Sequence, residues 1–382
     1  MAFKVAERGA IAPFIVMDVM RAAAERQAQG GDVLHLEVGQ PSGRAPSGVI
    51  AAARRALDDH ALGYTVALGM EELRGRIAGH YHDAYGAEVD PARVAVTTGS
   101  SGAFLLAFLA AFAPGDRVAV ASPGYPAYRN ILKALGVECV PVRVGPATRW
   151  QLTVEALAAV DGPLDGVVVA SPSNPTGSML TEAELAALLA WCEERGARLV
   201  SDEIYHGIAF GAPASTVAGR PGHAVVVNSF SKYYAMTGWR LGWMVVPPDL
   251  LRAVECLQQN LFISPPTLSQ IAACAVFDCI DELDARVGTY RANRDLLLAE
   301  LPRAGFARLA PSDGAFYLYA DVSDLTNDSP EFCRRMLAEI GVAATPGTDF
   351  DPFDGHRMVR FSFAGSTATM AEAARRLAAW RK

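Results

Sequence analysis

The stretch Asn228–Trp243, "NSFSKYYAMTGWRLGW", puts a lysine in an unusual place. Lys232 follows the apolar run "HAVVVNSFS" and precedes two tyrosines, an alanine and a methionine. A lysine taken out of water is costly unless it is paired or chemically employed. Ser229 and Ser231 precede it, and Arg240 lies eight positions on. Two hydroxyls and a guanidinium suit an anion held beside an amine. A surface turn with a stray lysine is the bland reading, and the apolar setting of Lys232 is wrong for it.

Outward from Lys232, between about residues 90 and 246, short β-branched runs alternate with helical stretches. "RVAVTTG", "DRVAVAS", "DGVVVAS", "ARLVSDEIY", "HAVVVNSFS" and "RLGWMVV" read as strands. "SGAFLLAFLAAF", "PAYRNILKALG" and "TEAELAALLAWCEERG" read as helices, the last opened by a capping-box pattern at Thr181 and Glu184. Such alternation predicts an α/β fold whose mostly parallel sheet is covered by helices on both faces. From about residue 283 the pattern becomes helix, strand, helix, strand, helix, an α+β unit onto which the first 44 residues are expected to pack. The expected division is 45–282 for a large unit and 1–44 with 283–382 for a small one.

Ligands of such sheets gather beyond the carboxyl ends of the strands. The unusual polar clusters fall there: "TTGSSG", "ASPGYP", "ASPSNPTG", "SDEIY" and "NSFSK". Thr97–Gly102 leads into a helix, whose free N–H groups and dipole favour an anion, although an ordinary N-cap looks the same. Tyr125 can stack on a planar ligand or simply pack beside a Pro-Gly turn. Asn174 can present its amide to a ligand or stiffen a turn in which an X-Pro bond is cis. Asp202 ends an apolar strand, as a cap or as the partner of a buried cation, and Tyr205 lies three residues on.

Bulk properties narrow the field. A chain of 382 residues suggests two domains or one large domain with an appendage, and 51% hydrophobic residues supply a large core. A net charge of −7 argues against a nucleic-acid partner. The six cysteines, 139, 192, 256, 274, 279 and 333, form no CxxC pair and fit a reducing cytoplasm, with Cys274 and Cys279 expected in the core. His80 and His82 point apart on a helix, and no metal site is expected. The longest apolar run, Ala103–Ala113, is far short of the roughly 20 residues that span a bilayer, so no membrane partner is expected. The N-terminal "MAFKVAERGAIAPF" lacks a sustained apolar core and reads as mature protein.

An aromatic plate, an acid, two neutral hydrogen-bonders, an anion cradle and an isolated lysine suit one molecule, pyridoxal 5′-phosphate. With those parts assembled, the chain resembles a class I/II aminotransferase of the aspartate aminotransferase superfamily over nearly its whole length. "SFSKYYAMTGWRLGW" is similar to the family's S-x-S-K…R signature, and "SPSNPTG" and "DEIY" follow the family's order and spacing. The resemblance implies the fold-type I architecture, a mostly parallel seven-stranded sheet between helices with a smaller α+β domain. It implies that Lys232 forms the Schiff base with the cofactor, that Asp202 pairs with the pyridine nitrogen, and that Asn174 and Tyr205 bond the phenolic oxygen. Tyr125 would stack on the ring, and Ser100, Ser101, Ser229, Ser231 and Arg240 would hold the phosphate. "GYTVALGMEELR" implies that Tyr64 reaches the phosphate of a neighbouring subunit, hence a homodimer with shared sites. "VGQPS" and "MVRFSFA" imply that Gly39 and Arg360 serve the substrate carboxylate.

The implied reaction is ping-pong transfer between an L-amino acid and a 2-oxo acid, with Lys232 as the proton carrier. A β-lyase or other Cα chemistry on the same scaffold, or a non-enzymatic ligand-binding regulatory module, are the alternatives. A neutral donor is expected. Some bacterial aspartate-specific relatives carry a lysine where this chain has Ser101, and Ile15, Val16, Met17 and Phe262 offer apolar walls. Arg44 is the cation that would reverse that expectation.

Overall fold

The computed structural model describes residues 3–380; residues 1–2 and 381–382, the ends of the expected small unit, lie outside the described residues. The strands are β1 (Leu34–His35), β2 (Val94–Thr97), β3 (Arg117–Ser122), β4 (Glu138–Arg143), β5 (Gly166–Ala170), β6 (Arg198–Asp202), β7 (Val225–Ser229), β8 (Gly242–Val245), β9 (Arg308–Leu309), β10 (Tyr317–Asp321), β11 (Val342–Ala343), β12 (Thr345–Pro346) and β13 (Met358–Ser362). Seven of them form one sheet in the order β2-β8-β7-β6-β5-β3-β4. Only β8 runs against its neighbours in that sheet. The mostly parallel α/β architecture expected from the alternation is therefore present.

Strand periodicity explains how the sheet builds a core on each face. Val167, Val169, Leu199 and Val226 pack into one apolar cluster with Leu188 and Trp191. Their neighbours Val168, Val200, Val225 and Val227 pack into another with Phe104 and Phe108 of helix Gly99–Ala111. Successive side chains point to opposite faces, so a continuous run of valines fills both. Helix Glu182–Arg195 starts where its capping box does: the Thr181 hydroxyl accepts from the Glu184 N–H at 3.2 Å, and the Glu184 carboxylate accepts from the Thr181 N–H at 2.7 Å.

The sixth of the seven strands along the sheet, β3, carries an edge neighbour that the sequence reading passed over. β4, "ECVPVR", contains Pro141 and is bounded by the charged Glu138 and Arg143. A proline cannot donate to a ladder and is tolerated at an edge, which is where β4 lies. Cys274 and Cys279, expected in the core, are only half-buried. They sit at the seam with helix Ser47–Asp59, where a Cβ on Gly48 would fall 2.8 Å from Cys279 Sγ.

A second sheet, antiparallel in the order β12-β13-β10-β9, carries Arg360 and Tyr317. β1 pairs in parallel with β11, which ties the start of the chain to its last third. Beyond β1 the chain continues past Leu36, whose carbonyl accepts from the Ser362 N–H at 2.7 Å, and so brings Gly39 over the strand ends of the large sheet. Among the described residues no helix is long and apolar enough to cross a membrane.

Candidate active site

Lys232 leaves the carboxyl end of β7 in a turn shaped by its own serines. Ser229 Oγ accepts from the Ser231 N–H at 3.0 Å, and the Phe230 N–H donates to the Leu241 carbonyl at 3.1 Å. The lysine is half-buried, and its Nζ donates to the Gly39 carbonyl oxygen at 2.7 Å. Gly39 has to be glycine, because a Cβ there would lie 1.7 Å from the Tyr317 hydroxyl oxygen. Burial pushes the Lys232 amine down to about 8, helped by the charges of Arg360 and Arg240 and opposed by Asp202. An amine in that range is a usable proton acceptor near neutral pH.

Asp202 lies at the carboxyl end of β6, beside β7, and is buried. Its Oδ1 accepts from the Ile204 N–H at 3.1 Å and its Oδ2 from the Tyr128 hydroxyl. Burial raises its carboxyl to about 6, while those two donors and the Lys232 amine pull it back. Tyr205, three residues on, pairs its hydroxyl with that of Tyr317 at 2.7 Å. The Lys232 amine stands 5.9 Å from the Tyr205 ring centroid.

Asn174 belongs to Ser171–Leu180, a loop buried throughout its length. The loop tolerates burial because polar groups are satisfied internally: Gln151 Nε2 donates to the Ser178 carbonyl at 2.9 Å, and the Leu180 N–H donates to Ser171 Oγ at 3.0 Å. The Ser171-Pro172 and Asn174-Pro175 bonds are cis. Asn174 Oδ1 accepts from Arg360 Nη1 at 2.9 Å, which orients the amide and leaves its NH2 to face a ligand. Arg360 is itself buried; it also donates to the Glu37 carbonyl and lies between the Tyr317 and Phe350 rings, at 4.4 and 4.6 Å from their centroids. Its Nε has no partner among the described residues.

The expected anion end lies at the start of helix Gly99–Ala111. Gly99 adopts φ +68°, and a Cβ on it would fall 2.5 Å from Arg240 Nη2, so glycine lets the guanidinium lie against the helix N-terminus. Ser100 is half-buried and Ser101 exposed in the same first turn. Ser229 and Ser231 are buried, with the Ser229 hydroxyl already engaged in the turn. Tyr125, half-buried, stands edge-on to Tyr128 at 5.4 Å and touches Phe14 at 5.9 Å.

Tyr64 is different. It is 84% exposed on this chain. Ile15 and Val16 are half-buried below the N-cap supplied by Asp349, Phe262 is half-buried, and Met17 and Arg44 are exposed. Reading the sequence missed four residues that hold the site from behind: Tyr128, Tyr317, Glu203 and His206. Glu203 accepts from Thr216 Oγ1 at 2.8 Å and from Ser201 Oγ at 3.1 Å, and burial pushes its carboxyl up to about 8. His206 Nε2 lies 3.1 Å from the Ser171 carbonyl, and burial pushes it down to about 3. In "SDEIYH" the residues facing the cleft and those facing the core interleave, a pattern visible only once the strand end is placed.

Residues 31–377 match the family "Aminotransferase class I and II". The valine–pyruvate aminotransferase of Mycobacterium tuberculosis is 56% identical over 381 residues, covering 99% of this chain and 98% of that protein. A crystal structure of an aminotransferase from Mycobacterium tuberculosis superposes with a TM-score of 0.97 at 56% identity over 99% of both chains. The Thermus thermophilus aspartate aminotransferase with maleate superposes with a TM-score of 0.92 at 32% identity, covering 99% of this chain and 100% of that one. The chain belongs to the class I and II aminotransferases. It is an enzyme that moves an amino group between an amino acid and a 2-oxo acid, on the fold-type I scaffold, in a family generally dependent on pyridoxal phosphate.

Proposed function

We propose that this aminotransferase binds pyridoxal 5′-phosphate at Lys232 and works by two half-reactions on a neutral L-amino acid, valine among them, with a small 2-oxo acid such as pyruvate as acceptor. The observation that carries this reading is the convergence of the Lys232 amine, the buried Asp202 carboxylate and the Arg360–Asn174 pair in one cleft. The residues present fit the cofactor. An amine held in place suits its aldehyde, a buried acid at the next strand end suits its ring nitrogen, and the Gly99–Arg240 contact at a helix N-terminus suits its phosphate. Ser100, Ser101, Ser229 and Ser231 would add hydroxyls or N–H groups to that phosphate, Tyr125 would cover the ring, and Asn174 and Tyr205 would reach its phenolic oxygen.

When bound, pyridoxal phosphate supplies an aldehyde that accepts the donor's nitrogen and a ring that withdraws electrons. Around it the chain's own groups divide the work. Arg360 orients the substrate through its carboxylate, with a planar fork already aligned by Asn174 and Glu37. Gly39 leaves room beside that carboxylate. Lys232, once released from the aldehyde, would take the proton from the substrate Cα and deliver it to the former aldehyde carbon across the shared nitrogen. Asp202 holds a proton at the ring nitrogen.

The neutral preference draws on the Mycobacterium relative's name and on Ser101, which brings no charge to the distal side of the substrate. Arg44 is exposed on this chain, and its carbonyl accepts from Arg286 at 2.9 Å. The working unit is a homodimer in the cytoplasm, with residues 45–282 as the cofactor-binding domain and 1–44 with 283–382 as the small one. Support for the dimer comes from an apolar strip on two touching segments. Tyr64 and Val66 are 84% and 66% exposed, and Leu261 and Ile263 are 50% and 53% exposed. Gln270 clasps the two segments together through Thr65 and Pro265, at 3.1 and 3.0 Å. Large apolar side chains left in water along one seam mark an interaction surface.

The test is a donor screen with valine, alanine, leucine, phenylalanine, glutamate and aspartate against a fixed acceptor. Valine or another neutral donor should lead in kcat/KM. Aspartate leading by about tenfold, roughly 1.4 kcal/mol of transition-state preference, would overturn the neutral assignment.

A further inference from the structure

Tyr128 stands on helix Pro126–Leu135, behind the strand ends. Its hydroxyl donates to Asp202 Oδ2, while the Ile204 N–H donates to Oδ1 at 3.1 Å. Both residues are almost fully buried, with 5% of Tyr128 and 3% of Asp202 exposed. The Tyr128 ring is wedged edge-on against Phe104 at 5.1 Å and against Tyr125 at 5.4 Å. One side chain therefore touches both the acid and the aromatic plate of the site.

We propose that Tyr128 is a positioning residue: its hydroxyl aims the Asp202 carboxylate at the cofactor's ring nitrogen and keeps that carboxylate ionised. This rests on the reading that Asp202 serves the ring nitrogen. The physical need is plain. Burial by itself drives Asp202 toward its neutral form, and the Tyr128 hydroxyl is the foremost of the groups that oppose it. A neutral acid no longer stabilises a proton on the ring nitrogen, and a carboxylate free to rotate no longer meets it. The Ile204 N–H lies along the chain and fixes one oxygen; among the described residues only Tyr128, from a different element, fixes the other. Were Tyr128 present only for packing, phenylalanine would fill the same space between Phe104 and Tyr125.

The experiment is a double-mutant cycle with Tyr128→Phe and Asp202→Asn, read in two ways. One is the affinity of the apoenzyme for added pyridoxal phosphate, followed by protein fluorescence. The other is the single-turnover rate of the loaded enzyme with donor. Tyr128→Phe alone should weaken cofactor binding and slow the half-reaction, together by about tenfold to a hundredfold, the size of a hydrogen bond to a buried charge. In the Asp202→Asn background the same change should have almost no further effect. The double variant carries no charge at position 202 to be left without its partner, so it can be compared with Asp202→Asn if the single variant is unstable. An equal loss in both backgrounds would make Tyr128 a packing residue and overturn the proposal. So would an unaltered Tyr128→Phe enzyme beside an impaired Asp202→Asn one, which would leave the Asp202 reading standing. Asp202→Asn without effect on either measure would bring down that reading and this proposal together.

Discussion

The site has a floor and a rim, and the two are built in opposite ways. The floor is sealed. Asp202, Asn174 and Arg360 are buried, and each is held by partners from other elements of the same chain. The rim is open. Tyr64 is 84% exposed, Ser101 and Arg240 face solvent, and Val66, Leu261 and Ile263 leave apolar surface in water. A buried charge without partners is costly, so a floor has to be complete within one fold. An exposed tyrosine beside exposed aliphatic residues carries no such demand and suits completion by another copy. On this contrast, damage to the floor should act at any protein concentration, and damage to the rim should depend on assembly.

The harshest break is Lys232→Ala. It should lower turnover by at least about 10⁴-fold, since on the proposed reading it removes the cofactor's anchor and the proton carrier at once. The fold should survive, as a half-buried lysine contributes little packing. Borohydride reduction of the wild-type enzyme with added pyridoxal phosphate, followed by peptide mapping, checks the anchor; a pyridoxyl group on any other lysine would remove Lys232 from the role.

Asp202→Asn comes next. It keeps the shape and removes the charge, so the half-reaction should slow by about 10²- to 10³-fold while cofactor binding weakens less. A near-normal single-turnover rate would take the acid out of the mechanism. Arg360→Lys should be milder. It exchanges a planar fork that meets a carboxylate at two points for a point charge, at a cost of about tenfold to a hundredfold in kcat/KM for amino acid donors. Simple amines, which lack the carboxylate, should lose nothing further. An equal loss for both kinds of donor would mean that Arg360 supports the fold rather than the substrate.

The floor and the rim were also unequally legible in the sequence. The parallel sheet could be read because a strand covered on both faces is a continuous apolar run, as in "DGVVVAS" and "HAVVVNS". Lys232, Asp202 and Asn174 could be picked out because they lie at the ends of such runs, where ligands of parallel sheets gather, although a cap or a turn would also account for Asp202 and Asn174. β4 escaped because Pro141 interrupts a short run bounded by the charged Glu138 and Arg143, a pattern that looks like a loop and that an edge position tolerates. Tyr128 and Tyr317 escaped because a tyrosine in an amphipathic helix or an aromatic strand reads as core until its hydroxyl is given a partner. Glu203 and His206 escaped for a related reason. Within "DEIYH" nothing local says which carboxylate faces the cleft and which is caged below by Thr216 and Ser201.

The rim yields the smallest expected effect and the sharpest test of the contrast. Tyr64→Ala should weaken pyridoxal phosphate binding only several-fold, the net worth of about one ordinary hydrogen bond at a solvent-exposed rim. What distinguishes it is whose site it damages. If Tyr64 serves a neighbouring subunit, mixing subunits should repair the defect. Take one subunit carrying Lys232→Ala and another carrying Tyr64→Ala, unfolded and refolded together with different affinity tags so that mixed dimers can be isolated. The Lys232→Ala subunit has no anchor, but it still offers an intact Tyr64 across the interface. The Tyr64→Ala subunit has an intact Lys232, Asp202 and Arg360 and needs only that tyrosine. Each mixed dimer then holds one complete site and one dead one, and the complete site should bind cofactor with wild-type affinity at half the wild-type stoichiometry. If Tyr64 acts within its own chain, the surviving site keeps its several-fold defect, and the open rim is a surface of some other purpose. Charged substitutions at Leu261 and Ile263 supply the control, because they should disperse the dimer and leave the sealed floor, with its Asp202–Tyr128 contact, folded within each subunit.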